Sequence, residues 1–267
     1  MEPLTAVVLG ALQGVFEWLP VSSEAVISLF MTQVLGSQTV ESVNTAIYLH
    51  SGTMLAALAY FRDDFFQVLK DVPRCAEEFV ETREVPWSYS LLNFLFFSTL
   101  VSGAVGGGIY FFGIERLPSD PALFALLVGF ALLATGVFKL IGAESDRLAE
   151  EAGMRDSVFV GLLQGLAIVP GISRSGSTVF GLFYRDFSSE DAFRLSFLMS
   201  VPAIFLAQIG INLFSGFSLT PGLLLATGVA FVVGYVSIDA ILGIAERVEV
   251  AYLCFAFAAL SFLAVAI

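Results

Sequence analysis

The chain has 267 residues, of which 57% are hydrophobic and 13% are charged. A soluble domain is nearer half apolar and a quarter charged, so this composition indicates an integral membrane protein. The formal net charge of −12 argues against a nucleic-acid partner, because nucleic acids select basic surfaces. Two cysteines, Cys75 and Cys254, lie far apart and predict neither a disulfide nor a metal site.

The first half of the chain, residues 1–112, predicts a broken hairpin followed by membrane spans. Pro3–Leu19 is an apolar run, and a polar break at Pro20–Ser23 separates it from a second run at Glu24–Val34. Each run is too short to cross a bilayer alone, so residues 3–37 predict a re-entrant hairpin. The elements expected after it are a span at Thr45–Phe61, an amphipathic surface helix at Asp64–Glu81 and a span at Tyr89–Phe112.

Residues 121–267 form the second half. Pro121–Ile141 predicts another span, and after a charged loop residues 156–185 predict a second broken hairpin. Three further spans are expected at Phe193–Phe214, Gly222–Ile244 and Val250–Ile267. The expected fold is an all-α integral membrane protein with six full transmembrane helices and two broken re-entrant helical hairpins, in a single membrane domain over residues 1–267.

The two hairpins carry related sequences and predict an inverted-topology repeat. Gln13–Ser23 (QGVFEWLPVSS) aligns with Gln164–Ser175 (QGLAIVPGISRS) after a slip of one residue. Of the twelve basic residues, ten fall on one side of the expected membrane, Arg116 falls on the other and Arg174 lies inside. The positive-inside rule makes the first side cytoplasmic and puts both termini outside. The hairpins then enter from opposite faces, and their tips meet near the midplane, where such repeats build substrate sites.

The second hairpin tip, Pro170–Thr178 (PGISRSGST), predicts a phosphate site. It offers closely spaced backbone N–H groups, hydroxyls and the guanidinium group of Arg174, which can bind phosphate oxygens through two parallel hydrogen bonds. The hydroxyls of Ser173, Ser175 and Thr178 either bind phosphate or cap the helix that follows, and the two roles are compatible.

The first tip carries the other candidate groups. Glu17 within an apolar run predicts a functional residue: a general base, a metal ligand or an ion-pair partner of Arg174. Gln13 lies one helical turn away on the same face. Either Ser22 or Ser23 is a candidate nucleophile if a base lies near, although a Ser-Ser pair before a helix is also a capping signal.

These residues resemble the undecaprenyl-diphosphatase family, the bacitracin-resistance membrane phosphatases that recycle the polyprenyl carrier lipid. Pro170–Thr178 matches the family's Pro-Gly-x-Ser-Arg-Ser-Gly-x-Thr signature in full. Gln13 and Glu17 match its (Glu/Gln)-x-x-x-Glu element, followed as expected by Leu19–Ser23 (LPVSS). A later helix of the family usually has His or Gln at the place of His50, the single histidine of this chain.

The resemblance implies hydrolysis of a C55-type polyprenyl diphosphate to the monophosphate and phosphate, assisted by a divalent cation, Mg²⁺ or Ca²⁺. It implies that Glu17, with Gln13 beside it, serves as base or metal ligand, and that Ser23 attacks or positions water. The residues expected to hold the diphosphate are Ser22, Ser173, Arg174, Ser175 and Thr178.

The same resemblance places the site toward the outer face of the cell membrane, with the main charged loops cytoplasmic. The expected partners are the lipid substrate and the bilayer, and a homodimer is left open.

One departure from the family pattern concerns proton transfer. The family continues Ser-Ser-x-Gly-His after the first proline, whereas Ser22–Val26 reads SSEAV, so that valine replaces histidine. Valine cannot move a proton. Either Glu17 alone, Glu24 or His50 fills that role, or hydrolysis is slow or lost. The alternative function is therefore a carrier-lipid flippase or binder that keeps the fold.

Overall fold

A computed structural model of the chain describes residues 1–19, 22–37, 39–112, 126, 129–130, 132–137, 140, 147–168, 172–214, 220–245 and 247–266. The described residues are almost entirely helical, and their only β-type pairing is an isolated bridge between Arg147 and Phe187. The expectation of an all-α protein is confirmed.

Each expected hairpin contains two short helices with a break between them. In the first half the helices are α1 Pro3–Phe16, α2 Ser23–Leu29 with a π-helical extension at Phe30–Val34, α3 Thr39–Tyr60, α4 Arg62–Thr82 and α5 Ser90–Phe112. In the second half they are α6 Met154–Leu166, α7 Arg174–Tyr184, α8 Ser189–Phe214, α9 Pro221–Ala245 and α10 Val250–Ala266. Much of the span expected at Pro121–Ile141 lies outside the described residues. Within it the structure describes residues 126, 129–130, 132–137 and 140, and all of them are helical.

Among the described residues, three helical segments are long and apolar enough to cross a membrane: Trp87–Ile109, Ser189–Ile209 and Pro221–Ala245. Shorter apolar helices cover Pro3–Phe16 and Ala251–Leu263. At 1.5 Å per residue, the 14 residues of α1 extend only about 21 Å, less than the roughly 30 Å hydrocarbon core. The composition and these segments indicate a membrane protein. Helix α1 alone is too short to span the hydrocarbon core.

Helix α4 has the amphipathic character expected of it. None of its residues is buried, and its exposed apolar side chains include Phe66, Leu69, Val72 and Val80. Phe65 and Val68 instead pack against the core. The helix therefore presents a second apolar face outward, as a helix at a membrane surface would.

The first helix of each hairpin packs against a helix from the other half of the chain. Helix α1 lies on α9, and helix α6 lies on α5. A Cβ atom on Gly14 would lie 2.7 Å from the backbone nitrogen of Gly234, and one on Gly165 would lie 2.7 Å from Cβ of Val105. Since Gly14 and Gly165 are aligned in the sequence repeat, the same residue type permits the same close approach in both halves.

An ion-pair cluster fixes the base of the second hairpin. Asp156, which is 1% exposed, accepts hydrogen bonds from Arg147 Nη2 at 2.5 Å and Arg185 Nε at 2.6 Å. The bond to Asp156 raises the pKa of the Arg147 guanidinium above its ordinary value. The Arg147 guanidinium also lies 4.4 Å from the centre of the Phe187 ring. The cluster joins the loop before α6 to the turn after α7.

Candidate active site

Glu17 is the centre of a buried polar cluster between the two hairpin breaks. It follows α1 as the C-cap residue, and its side chain is 3% exposed. One carboxylate oxygen, Oε2, accepts hydrogen bonds from Gln13 Nε2 at 2.8 Å and Ser23 Oγ at 2.9 Å. Gln13 is on the same helix face one turn earlier, as the sequence spacing predicts.

The other oxygen of Glu17 forms an ion pair with Arg174, the first residue of α7. Arg174 Nη1 also donates to the carbonyl oxygen of Ser196 on α8 at 3.3 Å. The carboxylate and the guanidinium, 157 residues apart, are thus in direct contact. The sequence repeat predicts that the two hairpin tips meet, and in the structure they are in contact through this ion pair.

His50 on α3 completes the first tip. Its Nδ1 lies 2.8 Å from the backbone oxygen of Ala46, and its Nε2 lies 3.1 Å from Glu17 Oε2 and 3.4 Å from Ser23 Oγ. A carbonyl oxygen only accepts, so Nδ1 carries a proton. Nε2 faces a carboxylate oxygen, and this contact is attractive when Nε2 carries a proton too. The geometry therefore suits an imidazolium that can return a proton to its neighbours.

The two other candidates of the first tip flank Ser23. Ser22 precedes α2, and its carbonyl oxygen accepts the N–H of Val26 at 3.0 Å. Glu24 lies in the first turn of α2, and its charge acts on both Glu17 and His50. Ser23 is the hydroxyl that the fold places between a carboxylate and an imidazole.

The serines of the second tip bind protein groups in this structure. Ser173 is the N-cap of α7, where its Oγ accepts the N–H of Gly176 at 3.1 Å. Ser175 Oγ donates to the carbonyl oxygen of Leu19 at 2.6 Å, and Ser173 Oγ lies 3.4 Å from the same oxygen. Both hydroxyls therefore join the second tip to the first. The capping alternative applies to Ser173, and its compatibility with phosphate binding stays a prediction.

Thr178 lies deeper than the other expected phosphate ligands. It is 0% exposed, and its Oγ1 donates to the helix backbone at Arg174 O, 3.0 Å away, or bonds Ser196 Oγ at 2.6 Å. Its contacts hold α7 against α8. The role of Thr178 as a phosphate ligand therefore remains a prediction, to which the structure adds a helix-packing role.

An aromatic layer closes one side of the cluster. Trp18, next to Glu17 in sequence, is fully buried, and its Nε1 donates to the carbonyl oxygen of Gly234 at 3.1 Å. Its ring packs against Phe197 at a centroid distance of 4.8 Å. Burial beside such a layer lowers the local dielectric and strengthens the interactions of Glu17.

Sequence reasoning missed the groups that α8 and the backbone contribute. Ser196 contacts both Arg174 and Thr178, and Thr53 Oγ1 lies 3.5 Å from Gln13 Nε2. The carbonyl of Leu19 ties the tips. Thr53 lies three residues after His50, so both residues are on one helix face. This spacing could have indicated that Thr53 lies near the site. Ser196 and the backbone carbonyl carry no local signal.

Glu17 and Gln13, the residues predicted to bind a divalent cation, have few oxygens free to do so. Both oxygens of Glu17 are engaged by cationic or donor groups. Among the described residues, no group of three or more His, Cys, Asp or Glu side chains could hold a metal. One buried acceptor, Gln13 Oε1, has no partner. Mg²⁺ takes several of its six oxygen ligands from water or substrate phosphates, but it still needs a carboxylate. In the present contacts both Glu17 oxygens bind donors and only the amide oxygen of Gln13 is without one, so this pair as arranged does not fit a resident metal ion.

Comparison with known proteins identifies the family. The family model described as "Bacitracin resistance protein BacA" matches residues 6–263. A protein named undecaprenyl-diphosphatase from Methanococcoides burtonii is 38% identical over 97% of this chain and 96% of its own length. Proteins of the same name from Methanothrix thermoacetophila and Haloarcula marismortui are 34% and 35% identical, over 95% and 97% of this chain and 93% and 96% of theirs. These matches confirm the resemblance carried by the second hairpin tip, and the chain belongs to the bacitracin resistance protein BacA family.

Proposed function

We propose that the chain hydrolyses undecaprenyl diphosphate, or a similar polyprenyl diphosphate, to the monophosphate and phosphate. Its relatives carry the name undecaprenyl-diphosphatase over nearly their full lengths. The observation that carries the proposal is the direct contact of Glu17 with Arg174, together with Ser23 and His50 on the same carboxylate. A buried carboxylate, guanidinium and hydroxyl in one cluster match the needs of phosphoryl transfer to water or serine.

Arg174 holds the diphosphate in this proposal. Its guanidinium has five N–H donors, and Glu17 and the Ser196 carbonyl each engage one η nitrogen. Each η nitrogen carries a second hydrogen, which can donate to a phosphate oxygen. The side chain is 16% exposed, so a ligand can reach it.

Ser23 and its neighbours carry the proton transfer. The Ser23 hydroxyl donates to Glu17 Oε2, so the carboxylate can take its proton as Ser23 attacks phosphorus or orients a water molecule to do so. His50 lies within reach of both groups; in its protonated form it can give its own Nε2 proton to the leaving polyprenyl phosphate and then take up the proton held by Glu17. If Ser23 is the attacking group, water then hydrolyses the phosphoserine and releases phosphate. In this proposal His50 fills the proton-transfer role that Val26 cannot fill.

The proposal includes six membrane spans arranged as an inverted repeat in one membrane domain. The helix pairing supports it: α1 packs on α9 as α6 packs on α5, and α3 packs on α9 as α8 packs on α5. Exchanging the two halves leaves this pairing unchanged. The basic residues support a cytoplasmic position for the charged loops and an outward-facing site in the cell membrane. A homodimer stays a prediction.

The test is phosphate release from a polyprenyl diphosphate by the purified full chain in detergent with Mg²⁺. Arg174→Ala should abolish release, and Glu17→Gln should lower it by about 10²–10⁴-fold. The matched controls, Arg247→Ala and Glu77→Gln, change exposed residues and should leave the rate unchanged. Full activity in both site variants would refute the assignment.

The second candidate, a carrier-lipid flippase or binder with weak hydrolysis, is favoured by Val26 alone. It predicts that the lipid phosphate binds or crosses the bilayer without phosphate release. Val26→His would then raise hydrolysis strongly from a low level. A high wild-type rate that Val26→His does not raise would reject this candidate.

A further inference from the structure

Ser196 lies where α8 meets the first turn of α7, and its backbone contacts the side chain of Arg174. Ser196 is 0% exposed, so protein encloses it completely. Its carbonyl oxygen accepts a hydrogen bond from Arg174 Nη1 at 3.3 Å. A carbonyl oxygen has two lone pairs, so this bond can coexist with the helical hydrogen bond of α8. The carbonyl thereby holds the guanidinium of Arg174 at one η nitrogen.

The hydroxyl group of Ser196 holds the backbone of the same arginine through Thr178. Ser196 Oγ lies 2.6 Å from Thr178 Oγ1, which lies 3.0 Å from the carbonyl oxygen of Arg174. The carbonyl oxygen of Ser175 is slightly farther from Thr178 Oγ1, at 3.2 Å. Carbonyl oxygens only accept, so the single hydroxyl hydrogen of Thr178 goes to the first turn of α7. Ser196 is then the donor between the two hydroxyls, and the chain of bonds ends on the backbone that carries Arg174.

The part that Arg174 plays in the proposed function depends on its orientation. A guanidinium binds phosphate through two parallel hydrogen bonds only when its plane faces the phosphate oxygens. Glu17 engages one η nitrogen and the Ser196 carbonyl engages the other, so the plane has a defined direction. A shift of about 1 Å in such a group can lower a rate by about 10²-fold. Contacts that hold the guanidinium and its backbone together therefore affect catalysis without touching the substrate.

We infer that Ser196 is a positioning residue for Arg174. It acts on the guanidinium through its carbonyl oxygen, and on the backbone through its hydroxyl and Thr178. This inference rests on the proposed phosphatase function, in which Arg174 holds the diphosphate.

Ser200 supplies a matched control one turn further along α8. It is also 0% exposed, and its hydroxyl donates within its own helix to the carbonyl oxygen of Phe197 at 2.5 Å. Ser200→Ala therefore removes a buried hydroxyl from the same helix and leaves the contacts of Arg174 in place. Ser196→Ala keeps the carbonyl contact and breaks the chain of hydroxyls. The two variants are compared as full chains in detergent, by phosphate release at varied concentrations of a polyprenyl diphosphate.

Ser196→Ala should lower kcat/KM by about tenfold, the factor that corresponds to one hydrogen bond lost from a buried network. KM should rise as well, because the displaced guanidinium binds the diphosphate less well, whereas Ser200→Ala should change neither constant. A purely structural role would lower kcat with the folded fraction and leave KM unchanged, and this result would overturn the inference.

The effect of Ser196→Ala should also depend on the guanidinium. In an Arg174→Lys background it should be much smaller than in wild type, since an ammonium group is a point charge that needs no fixed plane. An equal fold-loss in both backgrounds would show that Ser196 does not act through the guanidinium of Arg174.

A readout independent of activity separates this inference from the proposed function. The coupling between Glu17→Gln and Arg174→Gln in the free energy of unfolding measures the contact of these residues. It should be smaller in the Ser196→Ala background than in the Ser200→Ala background, because the guanidinium is held less firmly toward Glu17. Equal couplings overturn the inference even in a chain that releases no phosphate. Absence of phosphate release from wild type by itself refutes only the proposed function.

Discussion

Removing the charge of Glu17 would leave the Arg174 guanidinium without its charged partner in a buried site. Breaking a buried ion pair in this way costs about 3–5 kcal/mol. Arg174 keeps its hydrogen bond to Ser196 and is 16% exposed, so we expect the lower end, about 3 kcal/mol, for Glu17→Gln. Arg174→Gln should cost less, about 2 kcal/mol, because Glu17 keeps its contact with His50.

The double variant Glu17→Gln/Arg174→Gln has no uncompensated member of the pair. It should therefore lose about 2 kcal/mol less stability than the sum of the two single variants. Unfolding in mixed micelles with increasing dodecyl sulfate measures these free energies, and Trp18, which is fully buried, reports the change by fluorescence. Additivity of the two single effects to within about 0.5 kcal/mol would show that the residues do not interact and would refute the contact between the tips.

Three further predictions concern other parts of the molecule. His50→Ala should lower phosphate release by about 10²-fold or more. His50→Gln can still donate a hydrogen bond to Glu17 and should be equally slow if His50 transfers a proton. A normal rate in His50→Gln would show that His50 acts only as a hydrogen-bond donor. Asp156→Asn should lower the unfolding free energy by about 3 kcal/mol, since two guanidinium groups lose their shared partner, while the folded fraction keeps its specific activity. Gly14→Ala should destabilise the protein by about 1–3 kcal/mol, because the new Cβ would lie 2.7 Å from the Gly234 nitrogen. The control Gly108→Ala should have no such effect, since no described atom lies within 4 Å of its Cβ. Equal effects of the two variants would contradict the packing of α1 on α9.

The broken hairpins and their polar tips could be predicted because their signals are local. Short apolar runs, a polar break and a repeated Gln-Gly pair are all visible within a few residues. The contact of Glu17 with Arg174 followed from the expectation that the tips of an inverted repeat converge. Hydrophobic periodicity, by contrast, does not say which partner a helix chooses, so the packing of α1 on α9 and of α6 on α5 could not be foreseen.

The site itself was predicted less completely than the tips that carry it. The sequence left the role of His50 open, because a lone histidine on a helix has no neighbour in sequence that reveals its contacts. Its position depends on α3 passing beside both breaks, which is a tertiary feature. Ser175 was expected to bind phosphate, and its bond to the Leu19 carbonyl depends on a backbone group that no residue type signals.

The bond between Ser175 and Leu19 has a consequence for substrate binding. If a diphosphate takes hydrogen bonds from Arg174, it competes with Glu17 for the same guanidinium, and the ion pair between the tips weakens. The tips would then separate if that pair alone held them. Ser175 Oγ keeps a 2.6 Å bond to the first tip that involves neither charge, and α1 and α6 are each packed on a helix of the other half. In the proposed mechanism the framework therefore stays closed while the charges rearrange, and Glu17 can act on the proton of Ser23.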